Sequence, residues 1–187
     1  MSESRDVVSV ERLIAAPAER IFALLADPGR HHDIDGSGSV RDAKESPPRL
    51  TMGAQFGMSM HLGMNYSMTN EVIEFDDGKR IAWQTRPSGS FQGRFFGGRI
   101  WRYELEPADG GTLVRETWDI SREKGPIKGL LGIERSKEHT RAAMEKTLVN
   151  IARHARATTV TMFAPGRSGR SAVNGNSRAF GPLRLDR

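Results

Sequence analysis

Glu116 is the residue whose type and position promise chemistry. It alternates with Val114 and Trp118 along a strand-like run, Thr112 to Ile120, and so shares their apolar face. A carboxylate buried on such a face is costly unless it is paired or protonated. If the preceding run, Arg99 to Glu106, folds back on it around a turn at Pro107 to Gly111, Tyr103 lies opposite Glu116 and Trp101 lies opposite Trp118. Tyr103 could then donate a hydrogen bond to the acid. Arg99 falls on the same face by alternation, as does Arg12 in the first strand, and either could pair with Glu116. Such a cluster can orient the polar head of a ligand or assist proton transfer in a cyclisation. The plainer alternatives are a structural ion pair and a wet position at a pocket mouth.

His31, His32, Asp33 and Asp35 form the densest group of ligand-type side chains. Adjacent histidines rarely point to one side of a regular element, His61 is outward by alternation, and no third ligand follows at a metal-site spacing. The group reads as a helix-terminating surface turn, with ligand contact or gating as the alternative. No metal is expected. The absence of cysteine excludes disulfides, thiol chemistry and thiolate metal sites. No nucleophile elbow, Walker-type loop or dinucleotide fingerprint is present, so the glycine clusters carry no phosphate-binding context.

The 187 residues allow one domain plus an appendage. The formal charge of +5 is unevenly spread: from Thr158 onward five arginines face one aspartate, which leaves +1 for residues 1–157. A near-neutral domain is a poor dedicated nucleic-acid binder, and only the tail could hold polyanions, weakly. No run approaches the roughly 20 apolar residues of a membrane span. The opening residues lack the apolar stretch of a secretory signal, so a cytoplasmic protein is expected. No pattern specifies an oligomeric state.

Positioning these residues requires a sheet and a long helix. Val7 to Ala15 reads as a strand, and Ala16-Pro17-Ala18-Glu19 opens a helix that Asp27-Pro28-Gly29 stops. Strands are expected over Val40–Glu45, Gln55–Leu62, Tyr66–Phe75, Arg80–Arg86 and the two runs above, with a turn at Gly63-Met64-Asn65. The stretch Ile133–Ala157 holds no Gly or Pro. It places Met144, Leu148, Ile151 and Ala155 on one stripe, and its N-terminal half is more polar. Two glycine-rich apolar stretches read as flexible gates: Pro87–Gly98 with Phe91, Phe95 and Phe96, and Gly125–Gly132 (GPIKGLLG). Residues 158–187, rich in Gly, Ser and Arg, read as a disordered basic tail.

Four segments carry a family resemblance. VSVERLIAAPAERIFALLADPGRH, NEVIEFDDGKRIAW, WRYELEPADGGTLVRETWDIS and AAMEKTLVNIARHA resemble the first strand and helix, a strand pair, the final hairpin and the gripping helix of the START/Bet v 1-like (SRPBCC) superfamily, in its polyketide cyclase/dehydrase and lipid-transport group. The resemblance covers roughly residues 6–157. It implies an α+β helix-grip fold over 1–157: a curved antiparallel sheet of about six or seven strands around a long C-terminal helix, with short helices after strand 1. It also implies a cavity between sheet and helix. Candidate lining residues are Phe56, Met58, Met60, Trp83, Trp101, Tyr103, Glu116 and Trp118 from the sheet, with Met144 and Leu148 from the helix. Methionine suits an adaptable apolar pocket.

Shared fold does not fix function. The leading expectation is a binding protein for a lipid, polyketide or similar hydrophobic molecule, needing no cofactor. The second is an aromatase/cyclase-like enzyme in which Glu116, Tyr103 and Arg99 move or steady protons. The third is an interaction or toxin-like protein that uses its basic tail.

Overall fold

Period-two alternation of apolar residues builds most of this protein. The computed structural model describes residues 6–88 and 98–157. Phe91, Phe95 and Phe96, expected in a gate, and the tail fall outside the described residues.

The elements run in the order β1 (Val7–Ile14), α1 (Ala18–Leu25), a 3-10 turn (Pro28–Arg30), α2 (His31–Ile34), β2 (Val40–Lys44), β3 (Gln55–Leu62), β4 (Met64–Asp76), β5 (Arg80–Pro87), β6 (Arg99–Ala108), β7 (Gly111–Asp119), α3 (Gly125–Leu131) and α4 (Glu134–Ala157). The strands form one seven-stranded sheet in the order β1-β7-β6-β5-β4-β3-β2. Every pairing is antiparallel. The sheet curves around α4 in the helix-grip arrangement.

The long helix behaves as its sequence requires. Met144, Leu148, Ile151 and Ala155 are buried, and the helix packs on β1, α1 and α2. In α1 the apolar face of Ile21, Phe22, Leu24 and Leu25 is buried, with Glu19 in the first turn where the helix dipole favours an anion. The carboxylate of Asp27 accepts the Gly29 N–H at 2.9 Å and shapes the turn into α2.

Three expectations about connections change. Gly125–Leu131 is helix α3 rather than a loop, because its Pro sits in the first turn, where a missing N–H is harmless. The β3–β4 connection shrinks to Gly63, and both strands run up to it. The β6–β7 turn shrinks to Asp109-Gly110, with Ala108 paired to Gly111.

The segment after α2 is fastened to the middle of α4. The Gly36 N–H donates to Thr147 Oγ1 at 3.0 Å, and Asn150 Nδ2 donates to the carbonyls of Ile34 and Asp35 at 3.5 and 3.4 Å. A Cβ on Gly36 would lie 2.0 Å from the Ala143 carbonyl oxygen, so only glycine permits this approach.

Candidate functional site

Between the sheet and α4 lies a cavity of about 280 Å³, closed on one side by α2 and the residues that follow it. The inward face of the sheet, part of which forms the cavity wall, is organised as three rows that cross the strands. The first row runs Phe56–Asn70–Thr85–Arg99. The second runs Val72–Trp83–Trp101–Trp118. The third runs Ile81–Tyr103–Glu116–Val10. Neighbouring rows stand two residues apart along each strand, roughly 6.6 Å. An aromatic row is therefore flanked by two rows that carry polar groups.

In the third row, Glu116 is 1% exposed, and Tyr103 Oη donates to its Oε1 at 2.8 Å. Oε2 is buried and has no hydrogen-bond partner among the described residues. Burial, reinforced by the negative charge of Asp35, pushes the Glu116 carboxyl up to about 8, against the opposing pull of the Tyr103 bond. At neutral pH the acid is protonated, so Oε2 can carry a proton toward a ligand. Burial and the neighbouring Glu116 likewise hold the Tyr103 phenol well above its ordinary value.

In the first row, Thr85 Oγ1 donates to Asn70 Oδ1 at 2.7 Å, and Asn70 Nδ2 donates to the Phe56 carbonyl at 3.3 Å. One amide hydrogen of Asn70 remains beyond that bond. Arg99 closes the row at the cavity wall, half-buried.

The aromatic middle is continuous with α2. His31 stacks on Trp83 with centroids 5.1 Å apart, and Trp83 lies 5.5 Å from the Tyr103 ring. Trp101 and Trp118 are 6.3 Å apart, in the register expected of the hairpin.

Several expected placements are corrected. His31 is not a surface residue: it is 5% exposed, lines the cavity, and bonds the Leu25 carbonyl through Nε2 at 2.9 Å. A carbonyl only accepts, so Nε2 carries the ring proton, and burial keeps the imidazole neutral by lowering its pKa. His32 and Asp33 do remain at the surface, paired with each other at 2.9 Å. Phe56 and Leu148 are core residues outside the cavity wall; Phe56 packs edge-on against His31 and Trp83. Arg12 follows the expected alternation, opposite Val114, but it lies on edge strand β1 and is exposed, so it makes no pair with Glu116. Arg99 also leaves Glu116 unpaired, because it stands two rows away. Met58, Met60, Trp83, Trp101, Tyr103, Glu116, Trp118 and Met144 do line the cavity together.

Asn70, Thr85 and Thr147 are not among the expected cavity residues, and Asp35 is expected mainly in a surface turn, with ligand contact as the alternative. Alternation could have found Asn70 and Thr85, since each is inward by parity with a buried neighbour, Val72 and Trp83 respectively.

Residues 5–156 match the family described as polyketide cyclase / dehydrase and lipid transport. The chain belongs to that family. The chain is also similar to an uncharacterized protein of Mycobacterium tuberculosis, Rv0088, 32% identical over 142 residues. That match covers 74% of this chain and 59% of the relative, so the chain spans somewhat under two thirds of the relative's length. Among solved structures, protein NE0264 of Nitrosomonas europaea is similar with a TM-score of 0.63 at 14% identity, covering 85% of this chain and 99% of that one. A Rhodobacter sphaeroides protein gives a TM-score of 0.62 at 18% identity, covering 84% and 97% of the two chains. At these identities the likeness concerns the fold.

Proposed function

We propose that this chain binds a hydrophobic small molecule that presents one uncharged oxygen, such as a carbonyl, to Glu116. The observation that carries this reading is the unpartnered, buried Oε2 of Glu116, which stands beside the indole rings and methionines of the cavity wall. Burying an unsatisfied acid costs roughly 1–3 kcal/mol. A ligand that accepts its proton recovers that energy, whereas a purely apolar ligand does not. Met58, Met60, Met68 and Met144 give the wall the adaptability that irregular apolar ligands need.

The second reading is a cyclase-like enzyme, and the pKa of Glu116 favours it. An acid held near 8 is a protonated donor at neutral pH and a competent general acid toward a carbonyl oxygen during enolisation. His31, neutral and on the same cavity wall, offers Nδ1 as an acceptor. The carrier reading predicts binding without turnover by any variant. The enzyme reading predicts that Glu116→Gln keeps affinity within a few-fold and abolishes turnover.

Native mass spectrometry of freshly purified protein tests the binding reading, with denaturing mass analysis of anything released. A defined apolar adduct is expected. A clean mass with no uptake from a panel of lipids and polyketides would overturn it.

A further inference from the structure

The two polar rows of the cavity wall differ in charge. At the Tyr103–Glu116 row the local field is negative, because the charge of Asp35 reaches both residues. Asp35 itself is saturated: it accepts from the Ser37 N–H, the Ser37 hydroxyl and the Val40 N–H at 2.8 to 3.0 Å, so it is held in place as a fixed charge. At the opposite row the only full charge is the guanidinium of Arg99.

Three other arginines of the sheet are paired with carboxylates. Arg102 pairs with Glu74 at 2.6 Å, Arg80 with Glu74 at 3.4 Å, and Arg115 with Glu11. Each of these uses the outer face, where carboxylates are close. Arg99 lies on the cavity face, and no carboxylate among the described residues pairs with it. In the same row, two strands away and across Thr85, Asn70 holds an amide hydrogen that no described residue accepts. Guanidinium and amide donors together match a carboxylate or another planar anion.

We propose that the ligand is two-ended: an apolar body lies along the tryptophan row, an uncharged oxygen meets Glu116, and an anionic group meets Arg99 and Asn70. This rests on the reading of the cavity as a small-molecule site and adds the ligand's polarity to it. The orientation is fixed by electrostatics. An anion at the Glu116 end would face Asp35 and an acid that cannot ionise cheaply, while the same anion at the Arg99 end meets a cation. The rows containing Arg99 and Tyr103 are four strand residues apart, so the two oxygen groups of a fitting ligand are separated by roughly 13 Å or somewhat less.

The test uses the full chain and displacement of a neutral apolar fluorophore, N-phenyl-1-naphthylamine. Three matched competitors are compared: a medium-chain carboxylic acid with a distal keto group, its methyl ester, and the same acid without the keto group. The keto acid is expected to bind about tenfold or more tightly than its ester, in line with a charge-assisted hydrogen bond. Arg99→Met is expected to bring that ratio near one while changing the ester's affinity less than about threefold, and Arg99→Lys is expected to keep part of the preference. Glu116→Leu is expected to remove the preference for the keto acid over the plain acid. Equal binding of acid and ester by the parent protein overturns the proposal, as does Arg99→Met weakening both alike. If the fluorophore itself fails to bind, the small-molecule reading has failed, and this proposal fails with it.

Discussion

Tyr103 donates to Glu116 across the β6–β7 ladder at 2.8 Å, and that bond satisfies only one of the two carboxyl oxygens. The hydroxyl is what restrains the acid's upward shift. Tyr103→Phe leaves both oxygens without a protein partner, so the Glu116 carboxyl is expected to move further above 8. Stability should fall by about 1–3 kcal/mol. Carboxyl-carbon NMR titration reads the first effect and thermal denaturation the second; an unmoved titration would mean the bond is absent in solution.

Glu116 also makes stability depend on pH in an unusual direction. The folded acid keeps its proton up to about 8, against 4.5 for an ordinary glutamate. Between these values the folded chain binds more protons than the unfolded one, so stability falls as pH rises. Glu116→Gln keeps a donor and an acceptor but cannot ionise. Its stability relative to the parent should climb by ~1.4 kcal/mol per pH unit across that window and then level off. Asp35, Tyr103, His31, Arg99 and His139 line the same cavity in both proteins, so the difference between the two isolates position 116. Chemical denaturation at several pH values measures it, and a difference independent of pH would refute the raised pKa.

Gly36 joins the segment after α2 to the long helix. Gly36→Ala puts a methyl carbon 2.0 Å from the Ala143 carbonyl oxygen and 2.5 Å from the Thr147 nitrogen. Backbone must move, with a loss of about 1–3 kcal/mol, as for overpacking in a core. Ligand affinity should fall too, since Asp35 and Ser37 in this segment line the cavity. Hydrogen-exchange protection of the Gly36 amide would report the separation directly; unchanged protection would contradict it.

Leu148 and Met60 separate core from cavity. Leu148 is 1% exposed and does not line the cavity, so Leu148→Ala should cost about 2–5 kcal/mol and act on binding only through stability. Met60 is partly buried and lines the cavity. Met60→Ala should lose less stability and change ligand affinity several-fold. Paired melting and fluorophore titration distinguish the two, and the reverse pattern would show that the wall is misassigned.

Much of this architecture was legible because antiparallel strands preserve parity. Once the β6–β7 hairpin is recognised, Trp101 must face Trp118 and Tyr103 must face Glu116, and they do. The stripe of α4 was equally plain. What parity cannot supply is depth. Phe56 and Leu148 have the right facing but lie in packed core, and Arg12 has the right facing but lies on an edge strand in solvent. His31 was misread for a different reason. Its segment is a four-residue helix, too short for a period to declare a buried face, and its burial depends on docking against Trp83 and Phe56 from distant strands.

The tryptophan row has a practical consequence. The chain contains three tryptophans, and Trp83, Trp101 and Trp118 all stand in the wall of one cavity. Intrinsic emission from the folded protein therefore originates at the place a ligand would occupy. A shift in its colour or intensity reports the polarity of that wall without a label, and collisional quenchers read the wall's access to solvent.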